Sequence, residues 1–341
     1  MQRTTVLLLF GGESSEHEVS ISSARNVYAA MDDTKFDVVL CFIDKNGRWW
    51  LLSELTAQID TSQAPQLVAA LGGKSFLTLP GNRVVTPDVI LPILHGKNGE
   101  DGSVQGLAQL MHIPIVGCDV TSSALAMDKV ASKQIFAQVG LKIVPYLTHR
   151  GGDEVPSYSS VVEMLGDIVF VKPSRAGSSV GVSKVKNEDE FIAAIQEAHR
   201  HDDVALIERA ISGRELEVAV LGSAGSPEAS GVGEIMPDGD FYSYESKYDI
   251  NSASATVVPA SIDNDVAQTI SKLAGEAYTA LGCNGMARVD FFLAEDGTIY
   301  INEINTIPGF TNISMYPKLW RASGVSYPEL IERLIKTALH S

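Results

Sequence analysis

The chain has 341 residues, 45% of them hydrophobic and 20% charged, which leaves room for two or three domains and excludes a disordered chain, a coiled coil and a disulfide-stapled mini-protein. Its net charge of −16 has the wrong sign for a general nucleic-acid surface, so any anionic ligand must be held by a local cluster of Lys, Arg and backbone N–H groups. The longest apolar run, Thr4 to Phe10, falls far short of the ~18–20 residues a membrane span needs, and no small-residue cleavage site follows a basic start, so neither a membrane anchor nor a signal peptide is expected.

In chain order, Thr4–Phe10 reads as a strand and Glu16–Met31 as a helix with apolar spacing at Val19, Ser23, Val27 and Ala30. Phe36–Asp44 and Asp88–Leu94 read as buried strands, the second followed by a Gly-rich turn and a helix over Ser103–His112, with short Pro114–Gly117 closing the pattern. Strand–helix alternation of this kind predicts a parallel α/β sheet. One long helix is expected from about Ser122 to Val139, ended by Gly140. Ile168–Pro173 and Val180–Val185 read as strands joined by a Gly/Ser loop, and Asn187-Glu188-Asp189-Glu190 opens a capped helix running to about His201. Strands Val204–Arg209 and Leu216–Gly222, an amphipathic helix Asp265–Leu281 and a last helix Tyr327–Leu339 complete the pattern. The polar segment Gly239–Pro259 carries Phe241, Tyr242, Tyr244 and Tyr248, and a long aromatic loop in a compact domain points to function. Cys41, Cys118 and Cys283, odd in number and far apart, read as buried thiols of a reducing compartment.

Two β-prone runs flank Asp296-Gly297, a strong signal for a two-residue hairpin turn. That turn sets Glu295 opposite Thr298, Asp290 opposite Glu303 and Arg288 opposite Asn305, so one end of one face carries all four of the last-named side chains. Two facing carboxylates destabilise an idle hairpin, whereas a hard divalent cation removes the repulsion, and Asp, Glu and Asn oxygens suit Mg²⁺. The loop Lys172-Pro173-Ser174-Arg175-Ala176-Gly177-Ser178-Ser179-Val180-Gly181 can lay N–H groups against a phosphate beside a lysine, although it is no Walker loop. Gly11-Gly12-Glu13-Ser14-Ser15-Glu16-His17-Glu18 follows the first strand, where α/β sheets bind ligands, and its acids suit a cationic group better than a pyrophosphate. His95-Gly96-Lys97-Asn98-Gly99-Glu100-Asp101-Gly102 repeats the theme after another strand.

These motifs, together with Met-Asp-Lys at 127–129, Ser-Lys-Tyr at 246–248 and Asn-Glu-Ile-Asn-Thr-Ile-Pro-Gly-Phe-Thr at 302–311, resemble in order and spacing those of the D-alanine–D-alanine ligase family of the ATP-grasp superfamily. The resemblance spans nearly the whole chain. It implies an ATP-grasp fold, α/β and α+β, with a Rossmann-like N-terminal α/β domain at 1–117, a central lobe at 118–207 and a C-terminal lobe at 208–341 that includes a lid loop at 239–259. It further implies a cytoplasmic homodimer that uses ATP, two Mg²⁺ (or Mn²⁺) and two D-alanine molecules to supply the peptidoglycan dipeptide, with no nucleic-acid or membrane partner.

By the same resemblance, Asp290, Glu303 and Asn305 hold the metal ions, and Lys129, Lys172 and Lys247 grip the nucleotide phosphates. Glu208, Arg209, Ile211 and Glu215 line the adenine and ribose pocket, with Ala210 standing where the family often has an aromatic residue. Glu16 binds the ammonium of the first D-alanine and joins Ser178 and Tyr248 in a hydrogen-bond network, with His95 beside the substrate. Arg288 and the Gly309 N–H stabilise the oxyanion, while Ser314 and the Met315 N–H take the carboxylate of the second substrate. Two other readings compete: a relative making a D-alanyl ester with D-lactate, which Tyr248 disfavours, and a nucleotide-binding protein without catalysis.

Overall fold

The computed structural model describes residues 3–236, 255–311 and 313–340. The first part holds β1 (Thr4–Gly11), α1 (His17–Ala30), β2 (Phe36–Ile43), β3 (Trp49–Leu52), β4 (Gln66–Ala70), β5 (Ser75–Leu79), β6 (Val84–Val85), β7 (Val89–Ile93) and α2 (Ser103–Leu110). These seven strands form one sheet in the order β6-β5-β4-β3-β2-β1-β7. Only β2-β1-β7 is parallel, and β3 to β6 extend it as antiparallel strands that strand–helix alternation did not foresee. Pro114–Gly117 adds a single bridge, Ile90 to Ile115, in place of a strand.

The parallel centre is apolar on both faces, as a doubly covered sheet requires. Val6, Leu8 and Phe10 of β1 join one core, and Leu7 and Leu9 join another. At its carboxyl end Gly11 has φ +94°, and a Cβ there would lie 2.2 Å from the Ile43 carbonyl oxygen. Only glycine permits that approach, and the resulting sharp exit sets Glu16 at the start of α1.

The middle of the chain carries α3 (Val120–Met127), α4 (Lys129–Gln138), β8 (Tyr146–Arg150), α5 (Tyr158–Leu165), β9 (Val169–Pro173), β10 (Ser183–Val185), α6 (Glu188–His199) and β11 (Val204–Arg209). The strands form a sheet in the order β10-β9-β11-β8 with a core of its own. The single helix expected over 122–139 is two, broken at Asp128, whose ψ of 100° is extended. Its carboxylate caps α4 by accepting from the Val130 and Ala131 N–H groups at 3.0 and 3.1 Å, and Ser174 donates to it from a distant loop at 2.8 Å. The strand expected at 180–185 begins only at Ser183, because Ser178 and Ser179 take left-handed φ of 53° and 59° and the chain turns there.

The last part holds β12 (Gly213–Ser223), β13 (Ser226–Met236), β14 (Ala255–Val257), α7 (Asn264–Ala280), β15 (Asn284–Ala294), β16 (Ile299–Asn305), α8 (Met315–Ala322) and α9 (Tyr327–His340). The strands form a sheet in the order β14-β13-β12-β15-β16. One core cluster runs from β1 and α1 into α8 and α9 through Phe310, Tyr316 and Trp320, so the first and last parts of the chain share apolar interior. All three cysteines are buried and free, and no described helix is long and apolar enough to cross a membrane.

Candidate active site

The β15–β16 hairpin bears the densest charge. Arg288 faces Asn305 and Asp290 faces Glu303, the register the sequence predicts, but by a different route. The turn holds three residues, Glu295, Asp296 and Gly297, closed by Gly297 N–H to Ala294 O at 2.9 Å, so Ala294 rather than Glu295 pairs with Thr298. A bulge that inserts Asn302 opposite the Asp290–Phe291 step restores the register before the charged end. On the other flank, Glu217 of β12 faces Asp290. One row across three strands therefore carries Glu217, Asp290 and Glu303.

Cationic side chains compensate this row, which corrects the expectation of two bare facing carboxylates. The Arg288 guanidinium meets both Asp290 oxygens at 2.7 and 2.6 Å and lies 3.1 Å from Glu217 Oε2. Burial by itself would lower the Arg288 pKa, and the carboxylates of Asp290 and Glu217 outweigh it and raise the value well above the usual one. Lys129, the first residue of α4, lies 3.2 Å from Glu303 and donates to the Ala176 carbonyl at 2.8 Å.

Around this row lies a cavity lined by Glu16, His95, Glu100, Lys129, Ser178, Glu217, Arg288, Glu303, Asn305, Gly309, Ser314 and Met315. Glu16 is 5% exposed, and a Cβ on Gly96 would come within 3.4 Å of its carboxylate. The His95 ring is braced on both sides, with Nδ1 3.0 Å from the Ile307 carbonyl and Nε2 3.3 Å from Ser23 Oγ. Burial lowers its pKa and so favours the neutral ring. Burial, with Glu16 nearby, pushes the Glu100 carboxyl well above its ordinary range. At the far wall a Cβ on Gly309 would meet Ser314 Oγ at 2.7 Å. Ser314 stands at the N-terminus of α8, accepts from Thr311 N–H at 3.0 Å and presents Met315 as the first helical residue.

A second, larger cleft runs between the four- and five-stranded sheets, lined by Phe170, Lys172, Glu208, Arg209, Ile211, Glu215 and Asn302 among others. Both oxygens of the buried Glu208 face ammonium groups, Lys133 at 2.6 Å and Lys172 at 2.5 Å. Burial would raise this carboxyl; the two lysines outweigh it and hold it at about 2. Arg209 turns its guanidinium to the Leu165 and Met164 carbonyls at the end of α5, so it serves the cleft as wall rather than as a free cation. Lys129, Ser178 and Glu303 line both cavities.

The structure thus brings all the described predicted residues to the two adjoining cavities, with Asp290 buried beside them. Lys247, Tyr248 and the lid loop up to residue 254 lie outside the described residues. Sequence reading missed Glu100, Lys133 and Glu217. Signals for two of them existed: Lys133 is one helical turn from Lys129, and Glu217 interrupts the apolar interior of a strand.

Among the described residues, no three His, Cys, Asp or Glu side chains are grouped to hold a metal ion. The expected set has two carboxylates and an amide. Its hard oxygen donors sit on adjacent strands, with Glu303 and Asn305 in the cavity wall and Asp290 facing Glu303, which fits Mg²⁺ in the company of phosphate oxygens.

Two family models match the chain. One described as D-ala D-ala ligase N-terminus matches residues 5–118, and one described as D-ala D-ala ligase C-terminus matches residues 135–336. The chain is 46% identical to D-alanine–D-alanine ligase A of Chromobacterium violaceum over 352 aligned positions, covering 99% of this chain and 96% of the relative. The solved structure of the D-alanine–D-alanine ligase of Coxiella burnetii superposes with a TM-score of 0.90 at 37% identity, covering 100% of this chain and 95% of that one. The VanG D-Ala:D-Ser ligase of Enterococcus faecalis superposes with a TM-score of 0.88 at 35% identity, covering 99% and 100%. The chain belongs to the D-alanine–D-alanine ligase family, with its ATP-grasp fold.

Proposed function

We propose that this protein uses ATP to join two D-alanine molecules, giving D-alanyl-D-alanine, ADP and phosphate for peptidoglycan precursor synthesis. The observation that carries this reading is the meeting of two unlike cavities at Lys129, Ser178 and Glu303: one is suited to a nucleotide, the other to amino acids.

An amine attacking a carboxylate directly would have to expel an oxide ion, so the acid must first be activated. The carboxylate oxygen of the first D-alanine attacks the γ-phosphorus of ATP and ADP leaves, which forms an acyl phosphate. The free amine of the second D-alanine then attacks the acyl carbon, and the tetrahedral intermediate collapses as the C–O bond to phosphate breaks and the nitrogen gives up one proton, which leaves with the phosphate or to solvent. Glu16, buried at the start of α1, pairs with the first ammonium. Lys129 and Lys172 meet the phosphates and Glu208 accepts from the adenine amino group, while Ile211 and Glu215 complete the base and ribose walls. Arg288 and the Gly309 N–H face the oxyanion, where charge appears only as the reaction proceeds. Ser314 and the Met315 N–H hold the second carboxylate at the start of α8, a position that favours anions. Asp290, Glu303 and Asn305 are the residues that would hold Mg²⁺ (or Mn²⁺), which supplies positive charge to the phosphoryl oxygens. In this reading Lys247 and Tyr248 belong to a lid that excludes water from the acyl phosphate. The same kinship supports a cytoplasmic homodimer with domains at 1–117, 118–207 and 208–341.

The test is coupled detection of ADP with product analysis by mass, with D-alanine alone, with D-serine or D-lactate added, and with no amino acid. D-alanine-dependent ADP release with dipeptide as main product is expected. ADP release without D-alanine, or D-alanyl-D-serine or D-alanyl-D-lactate as main product from mixed acceptors, overturns the reading.

A further inference from the structure

The buried stripe of α4 reads Lys129, Ser132, Lys133, Phe136, an i, i+3, i+4, i+7 pattern that apolar residues would ordinarily fill. Lys129 is accounted for by the phosphate end of the cleft. Lys133 is not: its side chain has no exposure and lines neither cavity, so it can touch no ligand. A fully buried lysine is expensive, and burial lowers its pKa. Such a group persists where something needs its charge, and its ammonium lies 2.6 Å from Glu208 Oε1.

The other Glu208 oxygen faces Lys172, which differs in kind. Lys172 lines the cleft, belongs to strand β9 and keeps 12% of its side chain exposed. In the proposed reaction it also meets the phosphates, so on nucleotide binding Glu208 must share this cation with them. With Lys172 as its only partner, Glu208 would then be a buried carboxylate with only part of one cation, which favours taking up a proton and so ceasing to accept from the adenine amino group.

We propose that Lys133 is a positioning residue of the nucleotide pocket: it holds the Glu208 carboxylate charged and oriented from behind, so that Lys172 can give part of its charge to the phosphates. This rests on the reading of Glu208 as the group that meets the adenine. The charged and titratable groups around the pair are Lys172 on β9, Tyr146 on β8, Glu303 on β16 and Glu215 on β12. Of these, Lys172 is the cation that can otherwise neutralise Glu208, and its own pKa is raised because Glu208 and Glu303 outweigh its burial.

The test uses the full chain with Mg²⁺ and measures ATP binding by calorimetry without D-alanine, then kcat and both KM values. Lys133→Gln is expected to weaken ATP roughly 10- to 100-fold, the range for removing one partner of a buried ion pair at a binding site, with the D-alanine KM moving no more than about threefold. Its ATP affinity should fall more steeply than that of the wild type as pH drops from about 8 to about 5, because Glu208 now binds a proton in addition to the titration of ATP that both proteins share. In a Glu208→Gln background, Lys133→Gln should change ATP affinity by less than about twofold. An equal loss in both backgrounds, or wild-type ATP affinity and pH profile in Lys133→Gln, overturns the proposal. Should Lys133→Gln not fold, the double variant decides. Recovered folding with the ATP affinity of Glu208→Gln supports the proposal; weaker binding, or no folded protein, overturns it. If Glu208→Gln itself leaves ATP affinity unchanged, the reading of Glu208 falls and the proposal with it. If Glu208→Gln weakens ATP and Lys133→Gln does not, the proposal alone falls.

Discussion

The two ends of the site solve opposite electrostatic problems with the same materials. At the amino-acid end, Glu217, Asp290 and Glu303 form a row of three carboxylates served by two cations, Arg288 and Lys129. At the nucleotide end, the single carboxylate of Glu208 is served by two, Lys133 and Lys172. The carboxylate row is short of positive charge and Glu208 itself has more than its share, which suits ammonium groups and metal ions beside the row and phosphates beside Lys172. The ends also differ in what they stand on. The acidic row is pinned by ladder register across three strands, and the basic end combines a helix, a strand and a loop with two left-handed serines.

Losing a cation should therefore hurt the two ends unequally. Arg288→Ala is the largest effect expected. It strips the buried Asp290 and Glu217 of their shared cation, which costs about 3–5 kcal/mol of stability. Turnover should fall ~10²–10³-fold, with a smaller change in ATP affinity, because the charge it meets arises near the transition state. Thermal unfolding and steady-state kinetics read both. Lys172→Met should reverse the pattern: ATP binding weakens by about tenfold or more, while the melting temperature moves little because Lys133 still compensates Glu208. Equal destabilisation by the two variants would break the comparison.

Acidity offers a subtler contrast. Glu208 is held at about 2 against an ordinary 4.5, so its contribution to stability is complete above about 4.5 and is lost as pH falls toward about 2. Glu100 runs the other way. Burial, followed by the Glu16 charge, raises its pKa, so the stability it lends is present below its unfolded value and lost as pH rises through its folded one. Glu100→Gln, which keeps an oxygen to accept from the Gly96 N–H, should flatten the alkaline side of a melting-temperature profile. Glu208→Gln should flatten the acid side. Profiles that change on the same side would contradict the assignment.

What the sequence revealed of this site followed from locality. The Asp-Gly turn signal lay close enough to the charged end of the hairpin to give the pairing of Asp290 with Glu303. The extra turn residue and the Asn302 bulge happen to cancel, so two undetected irregularities left the site register intact. The antiparallel strands between Trp49 and Val85 were not legible, because short half-exposed strands lack a clean period. Glu208 was assigned to the adenine, but nothing local to it discloses Lys133, which approaches from another element. The fold class and most site residues came through motif resemblance, whose information lies in order and spacing rather than in any single residue.

Asp128 is the smallest perturbation and the one that most directly links a local rule to the site. Apolar spacing runs through it, which predicts a single helix; the chain instead breaks at Asp128, whose carboxylate caps the second helix and takes a bond from Ser174, 46 residues away. As the cap of α4, Asp128 satisfies the Val130 and Ala131 N–H groups and, by ending α3, makes Lys129 the first residue of a new helix. That is how Lys129 reaches both the Ala176 carbonyl and Glu303 at the junction of the two cavities. Asp128→Ala should cost about 1–2 kcal/mol, the value of one N-cap, and no buried charge is left behind. Without the cap, Lys129 loses its fixed direction, so turnover should drop several-fold, by more than the loss of folded protein explains. Asp128→Asn keeps the acceptor oxygen and should recover most of both. If Asp128→Ala loses stability while the folded fraction turns over at the wild-type rate, the cap supports the helix alone, and Lys129 is positioned by its bond to the 174–181 loop.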